Sequence, residues 1–464
     1  MRDRLHLLTA SEASALIRGR QISVVSLVDA SLQRIDALEP GVNAWVTVDR
    51  EGALETARRL ATESEAGRFG GPLHGVPVGL KDLYDVAGMT TTAGAPPFAH
   101  ERPTEDAESV ARLRRAGAVI VGKTTTTPFA YRDPCETRNP WNLGHTPGGS
   151  SSGSAAAVAA RMVPLALGSQ TLGSTLRPAA YCGVVGLKPT YGRISLRGVV
   201  PLAWSLDHAG IFCRSVADAA LALQILAGHD PADPHSAREP VADYLEAVSR
   251  AERPPRFGLV RQFFLERAGP EVGAHVEAVA QRLARAGAGL EEVKLPPSFA
   301  GIHEAGMRVM QVEAAAFHAV RFAAHAVRYP PQIRGAIEDG LKVRGVDYVA
   351  AQRGRGQFRA ETAPLLARFD ALLMPVTETA APRGFSSTGD PVFCAPWTFA
   401  GVPAISLPSG LTQDGLPLAV QLVSGIFDEA RLLAAARWCE AVLGFSGMPS
   451  ESLVTQGGGR EGSR

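Results

Sequence analysis

Lysine is scarce in this chain. Only five of its 47 basic residues are lysine, at Lys81, Lys123, Lys188, Lys294 and Lys342; the rest are arginine. Arginine stays protonated, whereas a lysine held out of water gives up its proton far more easily. Each lysine therefore invites a look at its surroundings, the plain alternative being a surface charge or a structural ion pair. Cysteine is scarce too, with Cys135, Cys182, Cys213, Cys394 and Cys439 widely spaced and no CxxC. An odd, scattered set argues against a disulfide framework and fits reduced thiols in a cytoplasmic protein. No apolar run reaches the roughly 18 residues of a membrane span. The opening "MRDRLHLLTASEAS" lacks the apolar core and small-residue cleavage site of a signal peptide. Neither sign of charge dominates: 47 basic and 46 acidic residues are mixed along the chain, so no basic face points to nucleic acid. The 11 histidines show no HExxH or paired-ligand spacing, and no metal or cofactor is expected.

What is present reads as an ordinary globular protein, 45% apolar and 20% charged over 464 residues. Residues 9–38 read as helical, opened by the capping box "TASE" at Thr9–Glu12. Strands are expected at "AWVTV" (44–48), "GVPVGLKD" (75–82), "AVIVGK" (118–123), "VPLALGSQ" (163–170), "RFGLV" (256–260), "EEVKL" (291–295), "ALLMPV" (371–376), "AISLPSG" (404–410) and "LPLAVQLV" (416–423). Helical patterns lie between most of them, the last at about 428–442. Alternating strands and helices imply an α/β core whose sheet is buried on both faces. No linker or internal repeat divides the chain. One large domain over 1–450 is expected, with a more helical lobe at about 230–365 and a flexible tail at 451–464.

The segment "GGSSSGS" (148–154) could be a flexible linker, but strand and helix patterns flank it closely. A glycine-rich turn that opens a helix is a place where backbone N–H groups converge. A phosphate loop would need GKS or GKT after the glycines, and there is none. A nucleophile elbow is a second possibility, because Gly149–Gly153 spells GxSxG around Ser151. That reading needs an acid and a histidine downstream. Asp207 with His208, or Asp230 with His235, give no persuasive geometry. A third reading uses a second small-residue turn, in "GSQTLGSTLRPAAYCG" (168–183), which presents Ser174. Upstream, Lys81 ends an apolar strand, where lost hydration would lower its pKa and make it a base.

These stretches, with "SLDHAGIFCRSVADAALALQILAG" (205–228) and "FAGVPAISLPSGLTQDGLPLAVQLV" (399–423), resemble the amidase signature family over most of residues 9–445. The resemblance implies a single α/β/α domain around a mixed, twisted sheet of about eleven strands, often as a homodimer. It also implies hydrolysis of a C–N bond in a small-molecule substrate through a Ser–Ser–Lys triad. Position by position, Ser174 matches the nucleophile, Ser150 the bridging serine that follows a cis peptide bond, and Lys81 the base. Backbone N–H groups of Thr171, Leu172, Gly173 and Ser174 match the oxyanion hole. Leu172 adds apolar bulk beside the nucleophile, and it is expected, with Gly148 and Gly149, to bind substrate. Arg177 and Asp207 are expected to support the turns, and Ser151 and Ser152 to hold them. Two residues depart from the pattern. Leu172 replaces the first of the usual glycine pair, at a conformational cost if that turn is left-handed. Gln170 stands where many members carry aspartate. The family spans stand-alone amidases and the glutamine-hydrolysing component of a tRNA-dependent amidotransferase. The apolar stretches at 301–320 and 391–401 favour an apolar or aromatic amide or carbamate, urethanes included.

Overall fold

Along Ala371–Pro375, Leu373 packs into one hydrophobic core while Leu372 and Met374 pack into another. The same alternation runs through Pro417–Val423, where Leu418, Val420 and Leu422 face the first core and Ala419 and Val423 the second. Successive strand residues point to opposite faces, so a sheet with a core on each side must be covered on both. The computed structural model describes residues 2–95 and 102–450; the tail expected at 451–464 lies outside them.

Eleven strands form one sheet. They are β1 (Trp45–Val48), β2 (Pro77–Lys81), β3 (Val119–Thr124), β4 (Leu165–Gln170), β5 (Val185–Lys188), β6 (His208–Cys213), β7 (Arg256–Val260), β8 (Gly289–Val293), β9 (Ala371–Pro375), β10 (Ala404–Leu411) and β11 (Pro417–Val423). Their order across the sheet is β1-β3-β2-β4-β6-β5-β10-β11-β9-β7-β8. β2 runs parallel to β3 and β4, and β7 parallel to β8 and β9. The other pairings are antiparallel, which makes this the mixed sheet of a single α/β domain. The segment 230–365 gives the sheet β7 and β8, and its helices Ile302–His325, Pro331–Gly340 and Gly345–Ala367 help build the second core. Among the described residues no helix is long and apolar enough to cross a membrane.

The structure corrects three readings of local structure. The helix expected over 9–38 is two helices, Ala10–Arg18 and Val24–Val42, parted at Gly19 and at Arg20, whose φ is 56°. The expected strand at 291–295 is β8, two residues earlier, because it pairs with β7 from Arg256↔Gly289 to Val260↔Val293. β5 and β6 carried no strand signal. β5 has four residues and follows the left-handed Gly183, and β6 opens on histidine at a loop. Both are buried by the pairings that flank them rather than marked by their own pattern.

The topology decides where chemistry can sit. β2 and β4 lie side by side and parallel, with Val78 opposite Leu165 and Leu80 opposite Leu167. β4 runs on past the end of β2, so the amine of Lys81, the last residue of β2, reaches Ser169 near the end of β4. The carboxyl ends of parallel strands are where α/β sheets place ligands. Asp82 turns the other way and pairs with Lys123 at 2.8 Å, both side chains fully buried. Asp82 also accepts from the Thr92 N–H and hydroxyl, and Lys123 donates to Thr91 Oγ1. Removing one partner of a buried pair strands the other charge, so Lys123→Met is expected to destabilise the fold by about 3–5 kcal/mol. Denaturant unfolding checks this, and a loss below about 1 kcal/mol would contradict it.

Candidate active site

The Gly–Ser segment folds as a turn into the buried helix Ser152–Ala159. Gly148 has φ 83°, which favours glycine, and the Gly149–Ser150 peptide is cis. A Cβ on Gly153 would meet Ala44 O at 2.2 Å, so the helix approaches the neighbouring backbone only because this residue is glycine. Ser150 is thereby held beneath the end of β2. The Lys81 amine, with no exposed surface, donates to Ser150 Oγ at 2.7 Å and to Ser169 Oγ at 2.9 Å. Burial drives the Lys81 pKa well below its ordinary value, and the negative charge of Asp207 offsets this only in part.

The second turn, after β4, carries Ser174, which is 8% exposed. Gln170 fixes this turn: its Oε1 accepts from the N–H groups of Thr175 and Leu176, and its Nε2 donates to Thr398 Oγ1. An amide thus serves as both acceptor and donor where an aspartate could only accept. Thr398 Oγ1 also meets Leu172 O at 2.9 Å. Arg177 reaches from the following helix to Gly149 O at 2.6 Å and Thr388 Oγ1 at 3.2 Å, tying the two turns together. The Ser151 hydroxyl bonds the backbone of Ser169 at both its N–H and its carbonyl, and Ser152 Oγ donates to Gly148 O. These two serines are committed to holding the turns. The N–H groups of Leu172, Gly173 and Ser174 find no backbone acceptor among the described residues.

The structure brings Lys81 and Ser150 into direct contact, and joins the turn of Ser150 to that of Ser174 through Ser151 N and Ser174 O at 3.4 Å. No hydrogen bond joins the Ser150 and Ser174 hydroxyls among the described residues; such bonds often tighten only when substrate is bound. Leu172 is half-buried, and neither it nor Gly173 has a positive φ, so the conformational cost expected of leucine is not incurred. Glycine at 173 is instead required by contact, since a Cβ there would meet Pro391 Cβ at 2.8 Å.

A cavity of about 530 Å³ opens beside this site. Ser169, Thr171 and Asp207 form its polar end, and Leu196, Val199, Val200, Leu202, Trp204 and Phe317 are among its apolar walls. Leu172, Gly148 and Gly149 do not line it. Trp204 and Phe317 meet edge to face, with centroids 6.0 Å apart. The cavity's one guanidinium, Arg197, is paired with Glu108 and Asp230. Sequence reading missed Ser169, because nothing near it marks it; only the shared register of β2 and β4 puts it on Lys81. Among the described residues no group of three or more His, Cys, Asp or Glu could hold a metal ion.

The chain matches the amidase family profile over residues 26–433 and belongs to the amidase signature family of hydrolases acting on carbon–nitrogen bonds. It is 40% identical over 445 residues to an amidase of Pseudomonas putida, covering 92% of this chain and 94% of that protein. It is 38% identical over 469 residues to a glutamyl-tRNA(Gln) amidotransferase component from Moorella thermoacetica, covering 93% of this chain and 96% of that protein. The solved peptide amidase of Stenotrophomonas maltophilia matches with a TM-score of 0.84 and 31% identity, covering 95% of this chain and 98% of that one.

Asp207 links the cavity to the polar end of the site. It accepts from Thr171 Oγ1 at 2.5 Å and from the N–H groups of Leu202 and Ala203. Burial raises its pKa to about 6, against the pull of these three donors. Its negative charge favours the protonated form of Lys81. Asp207→Asn removes that charge, so the pKa of Lys81 falls further. In an enzyme that uses the neutral amine, the acid limb of the kcat/KM profile should then move to lower pH. A pH–rate comparison of the two proteins checks this; an unmoved or upward-shifted limb would contradict it.

Proposed function

We propose that this protein is a stand-alone amidase that hydrolyses small apolar or aromatic amides or carbamates, urethanes included. In this reading Ser174 is the nucleophile, Ser150 the relay and Lys81 the base. The observation that carries it is the fully buried Lys81–Ser150 contact beside a largely apolar cavity.

The chemistry follows from the groups. Neutral Lys81 takes the proton of Ser150, and Ser150 takes that of Ser174 as Ser174 Oγ attacks the carbonyl carbon. The oxyanion that forms meets the N–H groups of the turn Thr171–Ser174. Fixed donors of this kind are typically worth about 10²–10³ in rate apiece. The C–N bond breaks as the relay returns its proton to the leaving nitrogen, which departs as the amine. Water then enters, loses a proton along the same path, and releases the acyl group from Ser174 as the acid.

A second reading, the glutamine-hydrolysing component of an amidotransferase, draws support from the Moorella thermoacetica relative. The cavity counts against it. Glutamine brings a carboxylate, and among the described residues the cavity's only guanidinium is already paired with Glu108 and Asp230. Leaving that carboxylate unpaired in an apolar site is costly.

The purified chain should therefore hydrolyse an aromatic anilide without ATP or a partner. Ser174→Ala and Lys81→Arg should each lower kcat by about 10⁴-fold or more, because members of one relay act as a unit. Steady-state kinetics on the three proteins check this. Near-normal turnover by Lys81→Arg would contradict the base assignment, and activity on glutamine alone would favour the second reading.

A further inference from the structure

The helix Ser152–Ala159 ends in a Schellman turn. Met162 N donates to Ala157 O at 2.9 Å and Arg161 N to Val158 O at 3.1 Å. This turn puts its exit residue in the left-handed region, where glycine is strongly preferred. Here that residue is Arg161, at φ 60°.

Arg161 lines a cavity of about 320 Å³ that shares no lining residue with the one beside Lys81. Arg214 lines it too. The Arg214 guanidinium donates to the carbonyls of Val163, Leu7 and Leu8. The Arg161 Nε is buried without a partner. Among the described residues neither arginine has a carboxylate within ion-pair distance. Glu12 and Glu440 also line the cavity but are engaged elsewhere. Glu12 accepts from Thr9 N, and Glu440 accepts from Val216 N and pairs with Arg437. Burial and the neighbouring Arg161 charge lower the Arg214 pKa to about 10, and burial with the Arg34 charge lowers that of Arg161. Two like charges thus share one cavity, neither in an ion pair among the described residues, and Asp218 and Glu12 offset the Arg214 charge only from a distance. Trp141, Leu407 and Phe445 add apolar wall.

We propose that this cavity is a second binding site, for a small oxyanion of the carboxylate or phosphate class, held by Arg161 and Arg214. A guanidinium presents paired N–H donors that match two oxygens of either group. The apolar walls suit a short hydrocarbon tail on a carboxylate.

Thermal unfolding of the whole chain in sodium acetate, sodium phosphate and sodium chloride at matched ionic strength tests the proposal. About 50 mM acetate or phosphate should raise the midpoint by about 1–2 °C over chloride. A rise with acetate alone identifies a carboxylate site, and a rise with phosphate alone a phosphate site. Arg161→Gly should abolish the rise while keeping the fold, since glycine suits the left-handed turn. Arg161→Asn, which also tolerates that conformation, is a second variant with the same expected loss. No rise in the parent protein overturns the proposal, as does an equal rise in both variants.

Discussion

The site depends on one constraint: a lysine amine is held with no exposed surface and, among the described residues, hydrogen-bonds to two serine hydroxyls alone. Water would keep that amine charged and useless as a base. Burial penalises the ammonium form, and Asp207 keeps the penalty from running unopposed. The fold supplies this setting through its topology. Lys81 ends β2, Ser169 lies near the end of parallel β4, and the two strands are neighbours in register. The adjacent Asp82 and Lys123 neutralise each other behind the strand.

Around the lysine, a few polar side chains convert flexible small-residue turns into fixed ones. Gln170 caps the turn of Ser174, and Arg177 reaches across to Gly149. Ser151 and Ser152 bind backbone rather than substrate. Among the described residues, three backbone N–H groups then remain without a backbone acceptor beside Ser174. A donor left unsatisfied in a buried turn is costly, and an oxyanion formed there would relieve that cost. The cavity wall is held by a different set of contacts. Glu313 accepts from the N–H and hydroxyl of Ser205, and Arg355 donates to Ser205 O, so two long helices clamp the loop that presents Trp204.

Most of this was legible in the sequence, for different reasons. The buried strands read from their apolar runs, and the two serine-bearing turns from glycine next to helix. The roles proposed for Lys81, Ser150 and Ser174 rest on resemblance, and no spacing along the chain reveals that residues 69 apart make a hydrogen bond. β5 and β6 were invisible because their partners, not their own patterns, make them strands. Ser169 was invisible because its importance lies in register. Leu172 looked strained only on the assumption of a left-handed turn, and the backbone does not adopt one. Arg161 shows the reverse case: an ordinary arginine in the sequence, it sits where the helix end calls for glycine.

The scarcity of lysine gives the central claim a direct test. With five lysines in the chain, a protein carrying 13C at lysine Cε should show few enough signals to assign by substitution. The pH titration of the Lys81 signal reports the charge on its amine. The midpoint should lie well below the ordinary lysine range. A Lys81 signal that stays in the ammonium form at neutral pH and titrates near 10.5 would contradict it.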